Sequence, residues 1–316
     1  MQLTDETPLL KPRVGSDALW GVSLVILSAS CFGLMVLFGR LAYHDGVSPA
    51  SLLFLRFAIA APVLAALARW RGSVWPSGRS LGIALLMGTI FVGNSLAYFV
   101  GLNIAPAATV ATVFFAYPVI VALAAWLLFN ERISRQKLAA LLLAVAGCLA
   151  VIGPTELKAA GGAALALLAA VIYASYILLA RFIDSRVDPL AQASVITGVA
   201  ALLFGAIVAH QGLTLPRTAS GWFGVMALAM VSTVVAITAF LAGVRRLGAT
   251  GAATLSVGEP IVAAVAAALF LEEPLGIGAA VGVALVVAST VLIVNGGARP
   301  TEKTLAPSKA TRTKLP

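Results

Sequence analysis

Ten long apolar segments constrain the fold of this chain more than any other feature of its sequence. Each holds about 20 mostly apolar residues, the length that an α-helix needs to cross the hydrocarbon core of a bilayer. The segments are Leu19–Leu41, Pro49–Trp70, Leu81–Leu102, Pro106–Phe129, Gln136–Gly153, Gly161–Phe182, Pro189–His210, Gly221–Val244, Ala249–Leu271 and Leu275–Asn295. Strands of a membrane β-barrel would be shorter and would alternate polar with apolar residues. The sequence therefore predicts an all-α integral membrane protein with ten transmembrane helices.

The composition excludes several other classes of protein. Charged residues make up 10% of the chain, whereas soluble domains carry roughly 25%. The net charge of +9 lies in short connections and forms no basic face with interleaved aromatic residues, so we predict no nucleic-acid partner. Cys31 and Cys148 lie inside apolar segments without other ligands at metal spacing, so we predict neither a metal nor a cofactor.

The positive charges predict the orientation in the membrane. An even number of spans places both termini on one side, and Lys and Arg concentrate in the connections of that side and in both tails. The opposite connections hold only Arg40, Lys158 and Arg217. Because cytoplasmic loops carry the excess of Lys and Arg, both termini are predicted to be cytoplasmic. Residues 1–18 then form an N-terminal cytoplasmic tail without the apolar core of a cleavable signal, and residues 296–316 a disordered basic tail.

The two halves of the chain repeat one another. Tyr117-Pro118 followed by Asn130-Glu131 corresponds to Glu259-Pro260 followed by Glu272-Glu273, and both prolines and both terminal glutamates are 142 residues apart. Residues 19–153 and 161–295 are thus predicted to be two five-helix repeats. Because five is odd, the second copy must be inverted in the membrane. Inverted repeats are a known transporter architecture, since two opposed halves can expose one central site to either side in turn.

These motifs, together with Leu55-Arg56-Phe57 in the second span, resemble the drug/metabolite transporter superfamily. More narrowly, the chain looks like the EamA-type ten-helix exporters of bacteria, from about Trp20 to Asn295. The resemblance implies a multi-pass carrier of the bacterial inner (plasma) membrane that exports amino acids or similar metabolites through a central cavity. It does not imply a particular substrate. The first copy departs from the second at one helix end, where Asn130 occupies the position of Glu272.

Two charged residues inside spans are candidate site residues. A charge at a helix centre costs about 2.5–3.5 kcal/mol on insertion scales, so it usually faces a cavity or a partner. Glu259 is predicted to bind a substrate amine or to couple transport to protons, although a structural carboxyl paired across a helix interface is equally compatible with its position. Arg56 either holds a substrate carboxylate, pairs with Glu259, or snorkels to the outer headgroups, and snorkelling is the preferred interpretation.

The prolines of the repeat predict interrupted helices. Pro118 and Pro260 each lack a backbone donor and would leave open the carbonyls of Phe114 and Ser256, four residues earlier. Interruptions at matching positions of two halves point to a transporter binding site. Structural kinks packed by neighbouring helices are the alternative.

Aromatic and amide side chains share helix faces that could line the same site. Phe91, Asn94 and Tyr98 are spaced by three and four residues in the third span, and Tyr173 and Tyr176 share a face in the sixth. Asn94 would be costly in lipid, so this face is predicted to point inward. The full set of predicted substrate-binding residues is Phe32, Arg56, Phe91, Asn94, Tyr98, Phe114, Tyr117, Tyr173, Tyr176, Ser256 and Glu259. Ordinary helix packing remains the alternative for any single aromatic residue.

The sequence favours a secondary carrier over two other classes. An enzyme would need a nucleophile with a base, a metal cluster or paired acids at depth, and only Glu259 lies squarely inside a span. A channel usually shows a filter loop or rings of like residues, and neither is visible, although an uncoupled facilitator stays open as an alternative. The Gly278 and Gly282 spacing is compatible with a homodimer face or with close packing inside one subunit.

Overall fold

The computed structural model describes residues 16–129, 135–152, 157–180, 182–256, 258–272 and 276–297, and all of its regular structure is helical. The predicted tails, apart from a few residues at their inner ends, and the motif residues Asn130, Glu131 and Glu273 lie outside these ranges. The α-helices are α1 (Ser16–Gly33), α2 (Met35–His44), α3 (Pro49–Trp70), α4 (Gly78–Ile104), α5 (Ala107–Phe114), α6 (Tyr117–Phe129), α7 (Arg135–Ile152), α8 (Leu157–Ala180), α9 (Pro189–Gln211), α10 (Ala219–Ala229), α11 (Ala236–Leu255), α12 (Gly258–Phe270) and α13 (Ile277–Gly297). A π-helical segment, Met230–Val235, joins α10 to α11.

Six described helical stretches are long and apolar enough to cross a membrane. They are Leu19–His44, Pro49–Trp70, Gly78–Ile104, Ala160–Ala180, Pro189–Gln211 and Ala219–Gly243. Four shorter apolar stretches, the first of which includes the turn between α5 and α6, occupy the places of the remaining predicted spans: Ala107–Val121, Leu138–Gly147, Gly258–Phe270 and Ile277–Leu292. The all-helical membrane fold is therefore confirmed, with six clear spans.

Helix starts follow the turn signals of the sequence. Ser48 caps α3, with its side chain accepting a hydrogen bond from the Ser51 amide, and Pro49 is the first helical residue. Asp188 caps α9 in the same way through the Leu190 amide, ahead of Pro189. The first amides of a helix have no partner within the helix. The capping side chain accepts from one of them, and proline has no amide hydrogen to satisfy, so both helices begin where predicted.

One predicted connection is wrong. The sequence placed a break between spans eight and nine, at Val244 and Ala249, but α11 runs through this stretch without interruption. The equivalent break in the first half is present because Pro106 lacks a donor and holds Ala105 in an extended conformation (φ −137°, ψ 162°). The second half has Gly248 at the place of Pro106, and glycine, unlike proline, leaves the helical hydrogen bonds intact.

The four most extensive helix contacts join the two halves. They pair α1 with α11, α3 with α9, α4 with α8, and α7 with α13. Replacing every helix by its equivalent in the other half gives the same four pairs. The equivalent helices α3 and α9 run antiparallel. The Ser48 amide before α3 donates to Thr214 Oγ1 after α9 at 2.8 Å, and the Asp188 amide before α9 donates to the Val74 carbonyl after α3 at 2.9 Å. Antiparallel packing of equivalent helices is the relation that inverted repeats require.

The glycines of α13 pack inside one chain. A Cβ atom at Gly278 would lie 2.7 Å from the Ala150 carbonyl oxygen of α7, and one at Gly147 would lie 2.9 Å from the Gly282 carbonyl oxygen. The small residues therefore let α7 and α13 approach closely, so the structure favours the intrasubunit interpretation of this spacing over the homodimer face.

Gly278→Val should lower the thermal stability of the protein, because the new side chain must push α7 away from α13. Overpacking of this kind costs about 1–3 kcal/mol. Thermal unfolding in detergent would measure the change in Tm. The matched control is Gly198→Val in α9, where an added Cβ has no atom within 4 Å. Equal Tm values for the two variants would contradict the close packing.

A carboxylate joins two loops at the predicted outer side. Asp45, between α2 and α3, accepts hydrogen bonds from the backbone amides of Arg217 and Thr218 at 2.5 and 2.9 Å. The Thr218 amide, followed by that of Arg217, lowers the pKa of the Asp45 carboxyl below its ordinary value of 3.8. The ionised group thus connects the loop before α3 to the loop before α10.

Asp45→Asn should make stability less sensitive to acid. Because folding lowers this pKa, the carboxylate stabilises the fold above its ordinary pKa, and the stabilisation is lost as the pH falls through the lowered value. We expect the substitution to lower Tm at pH 7, by an amount that shrinks as the pH falls below 3.8 and through the lowered pKa. Thermal unfolding across this range measures the effect, and Glu272→Gln, at an exposed position, is the control. A constant difference in Tm at every pH would contradict the role of the charge.

Candidate functional site

Two interrupted helices define the centre of the candidate site. In the first half α5 ends at Phe114, Phe115 and Ala116 form a turn, and Pro118 is the second residue of α6. In the second half α11 ends at Leu255, and α12 begins at Gly258 with Glu259 and Pro260 in its first turn. The Ser256 carbonyl is not left open as expected, because it accepts a hydrogen bond from the Glu259 amide at 3.0 Å.

Glu259 lies at the N-terminus of a half-helix, beside three tyrosines. A helix N-terminus carries partial positive charge and favours a carboxylate. The Glu259 carboxyl interacts electrostatically with the phenols of Tyr98, Tyr117 and Tyr173. A Cβ at Gly33 would lie 2.8 Å from the Glu259 carbonyl oxygen, so α1 packs directly against this first turn. The acid is therefore held between elements of both halves.

Six of the seven predicted aromatic residues form one connected cluster. Its rings come from α4, α5, α6 and α8, and successive centroids are 4.9–5.7 Å apart: Tyr98–Phe114, Phe114–Tyr117, Tyr117–Tyr173, Tyr173–Tyr176 and Tyr176–Phe91. These edge-on, tilted and stacked contacts are the arrangements that aromatic rings prefer. We call these six residues the aromatic cluster. Four of the six are tyrosines, so the cluster combines apolar rings with hydroxyl groups.

Two predicted site residues have other surroundings. The Asn94 amide donates from Nδ2 to the Ala169 carbonyl at 2.8 Å and is buried between α4 and α8. This bond satisfies the amide and fixes the two helices that carry most of the aromatic cluster. Phe32 is half-buried on α1, and no ring contact joins it to the cluster within the described ranges.

Arg56 is buried in the protein interior. Only 5% of it is exposed, which differs from the expectation that it snorkels to the outer headgroups. Its Nε donates to Thr233 Oγ1 at 2.8 Å and its Nη2 to the Ser232 carbonyl at 3.5 Å. The guanidinium also lies 5.0 Å and 5.5 Å from the ring centres of Phe57 and Phe99. No ion pair joins it to Glu259, whose carboxyl belongs to the described part of the chain.

The partners of Arg56 belong to the π-helical segment, which sequence reasoning missed. Thr233 Oγ1 donates to the Leu228 carbonyl five residues earlier, and Ser232 Oγ donates to the Cys31 carbonyl of α1. The widened turn thereby presents a hydroxyl and a carbonyl to the guanidinium. Such π-bulges are frequent at functional sites. The only sequence signal was the adjacent polar pair Ser232-Thr233 in the middle of an apolar span.

Two buried hydroxyl groups near the interruptions have no hydrogen-bond partner among the described residues. Thr112 Oγ1 lies on α5, and Ser256 Oγ follows the end of α11. Thr112 is completely buried and Ser256 is 6% exposed. A buried donor without a partner costs about 1–3 kcal/mol, so these groups are available to a ligand that offers acceptors.

Comparisons with known proteins agree with one another. The model of the EamA-like transporter family matches the chain twice, over residues 19–153 and 160–295. A relative from Bacillus subtilis strain 168, the uncharacterized transporter YcbK, is 28% identical over 275 residues, which cover 83% of this chain and 88% of the relative. A chain from a solved crystal structure is 22% identical and superposes with a TM-score of 0.61, covering 88% of this chain and 96% of that one. The double match confirms the internal repeat, and the crystal structure supports the fold alone.

Proposed function

We propose, from the premise that this chain belongs to the EamA-like transporter family, that it is a secondary carrier for amino acids or related metabolites. Membership makes it a multi-pass membrane transporter of small solutes. Our proposal adds that it exports its substrate across the bacterial inner membrane by alternating access. Its binding site lies between the two repeats.

One observation carries this proposal: the half-buried Glu259 carboxyl and the buried Arg56 guanidinium lie near one phenol without forming an ion pair. Tyr98 interacts electrostatically with Glu259 and also with Arg56, yet no ion pair joins these two described residues. A zwitterionic amino acid supplies the missing partners. Its carboxylate fits the planar fork of Arg56, and its ammonium group fits Glu259, with Tyr98 between them.

The aromatic cluster gives this site its preference for amphipathic ligands. Ligand pockets are mostly apolar with a few polar groups that fix orientation. Here the polar groups are Arg56 and Glu259, and the apolar wall is the cluster that continues from Tyr98 to Phe91. We propose that the side chain of the substrate contacts these rings, while Thr112 and Ser256 offer hydroxyl groups to its polar atoms.

The arrangement of the helices supports alternating access. Ten spans in two inverted five-helix repeats, with both termini cytoplasmic, would place one substrate site between opposed halves. The antiparallel contact of the equivalent helices α3 and α9 and the interruptions before α6 and α12 agree with this architecture. Coupling to protons through Glu259 is part of the proposal, since an intramembrane acid can carry a proton across with or against the substrate.

Counterflow in proteoliposomes tests the carrier. Vesicles are loaded with single amino acids or metabolites, labelled compounds are added outside, and uptake is followed by mass spectrometry. We expect the internal load to accelerate uptake of a zwitterionic amphipathic compound. Uptake that ignores the internal load would contradict a carrier and indicate an uncoupled facilitator or channel.

A further inference from the structure

A second polar region lies apart from the aromatic cluster, beside the end of one helix and the start of another. A cavity of about 490 Å³ lies between the end of α3, the start of α9 and the middle of α11. Its polar walls are Arg71, Arg246, Asp188 and Thr238, and its apolar walls include Leu190 and Leu241. None of the residues assigned to substrate binding lines it.

The cavity has an excess of positive charge at its mouth. Arg71 and Arg246 are both exposed. The Arg246 side chain is anchored by one bond, from Nη1 to the Ala242 carbonyl at 2.9 Å, which orients the guanidinium along α11. The carboxylate of Asp188 is engaged in capping α9, because its Oδ1 accepts from the Leu190 amide at 2.8 Å. Two guanidinium groups thus face one carboxylate that already has a structural role.

The position of the cavity is that of a membrane interface. Arg69, two residues before Arg71, stacks over Trp75 at 4.8 Å, and aromatic residues of this kind mark the level of lipid headgroups. Arg71 follows the end of α3 and Arg246 lies within α11, and the charge distribution places both on the cytoplasmic side. Leu190, which is 2% exposed, and the half-buried Leu241 supply the apolar part of the lining.

We propose that this cavity binds the phosphate group of an anionic phospholipid of the inner leaflet. Guanidinium groups bind phosphate oxygens in pairs of parallel hydrogen bonds, and basic pockets between helices on the cytoplasmic side suit anionic headgroups. The apolar walls favour a lipid over a free phosphate ion, although the headgroup chemistry is the same. The headgroup would lie in the cavity beside α3, α9 and α11, and would thus contact helices of both halves.

Lipid binding in detergent tests this proposal without any transport measurement. Phosphatidylglycerol or phosphatidylcholine is added to the purified protein, and bound lipid is counted by native mass spectrometry. We expect wild type to prefer phosphatidylglycerol, and the double variant Arg71→Gln, Arg246→Gln to lose about tenfold or more of that affinity. Arg79→Gln, an exposed arginine at the start of α4 that does not line the cavity, should bind like wild type.

The wild-type measurements decide the matter even if the double variant does not fold. Equal binding of both lipids by wild type would overturn the proposal, as would an equal loss in the Arg79 variant. Inorganic phosphate is the competing probe. If millimolar phosphate displaces the lipid, the cavity is a site for free anions, and the assignment to a lipid is wrong. Because no step depends on the central site, failure here leaves the carrier proposal untouched.

Discussion

Glu259→Gln should weaken binding of a zwitterionic substrate by about 10- to 100-fold. A hydrogen bond between charged groups contributes about 1.5–3 kcal/mol, and each 1.4 kcal/mol corresponds to a factor of ten. Glutamine keeps the size of the side chain and one acceptor oxygen but removes the charge that attracts the ammonium group. The first turn of α12 and three neighbouring phenols surround this carboxyl. No other acid among the described residues lies beside these phenols, so none can take over its charge in the variant.

The measurement is equilibrium binding and counterflow at several pH values, with Glu272→Gln as the matched control. Glu272 lies after the end of α12 and is exposed, so its variant should behave like wild type. An analogue of the substrate without its amino group should bind wild type and Glu259→Gln equally. Unchanged transport with an unchanged pH dependence in Glu259→Gln would exclude this residue as the amine and proton site.

Arg56→Gln should have the complementary effect, again about 10- to 100-fold, because it removes the fork that binds the carboxylate. The loss should be confined to substrates with a carboxylate, so the amine formed by decarboxylation should bind wild type and variant alike. Arg56→Lys should restore only part of the affinity, since an ammonium group cannot reproduce the paired bonds of a guanidinium.

Binding of the acid and of its amine analogue measures this prediction. The control is Arg186→Gln, because Arg186 is 84% exposed and its ion pair with Asp184 contributes little. Equal losses for the acid and for the amine would show that Arg56 only supports the fold, through Thr233 and the neighbouring rings. An unchanged affinity for both compounds would remove Arg56 from the site.

Much of the fold follows from the sequence because lipid imposes strong constraints. A spanning segment must be about 20 apolar residues long, and its polar backbone must be satisfied internally. The starts of α3 and α9 were readable because Ser48-Pro49 and Asp188-Pro189 combine a capping side chain with proline. The repeat was readable because Glu259-Pro260 copies the spacing of Tyr117-Pro118. These local signals need no knowledge of the neighbouring helices.

The environment of Arg56 could not be predicted from the sequence, because its hydrogen-bond partner Thr233 lies 177 residues later in the chain. Its hydroxyl partner is presented by the π-helical segment, which arises from a shift in backbone hydrogen bonds and not from residue preference. The burial of Arg56 between the π-helical segment and Phe99 of α4 could not be inferred from its depth in α3 alone. The same holds for Asn94, whose amide is satisfied by α8. Likewise, α11 continues through Arg245 and Arg246, where the second half has Gly248 in place of the proline that breaks the first half.

Two-sided accessibility of the site tests the central claim most directly. Ser256→Cys, next to Glu259, would be introduced after both native cysteines are replaced, and a membrane-impermeant thiol reagent would be applied to vesicles of either orientation. We expect the cysteine to react from each side of the membrane, and substrate to slow both reactions. Reaction from one side only, under every substrate condition, would contradict a carrier with a single site between its two repeats.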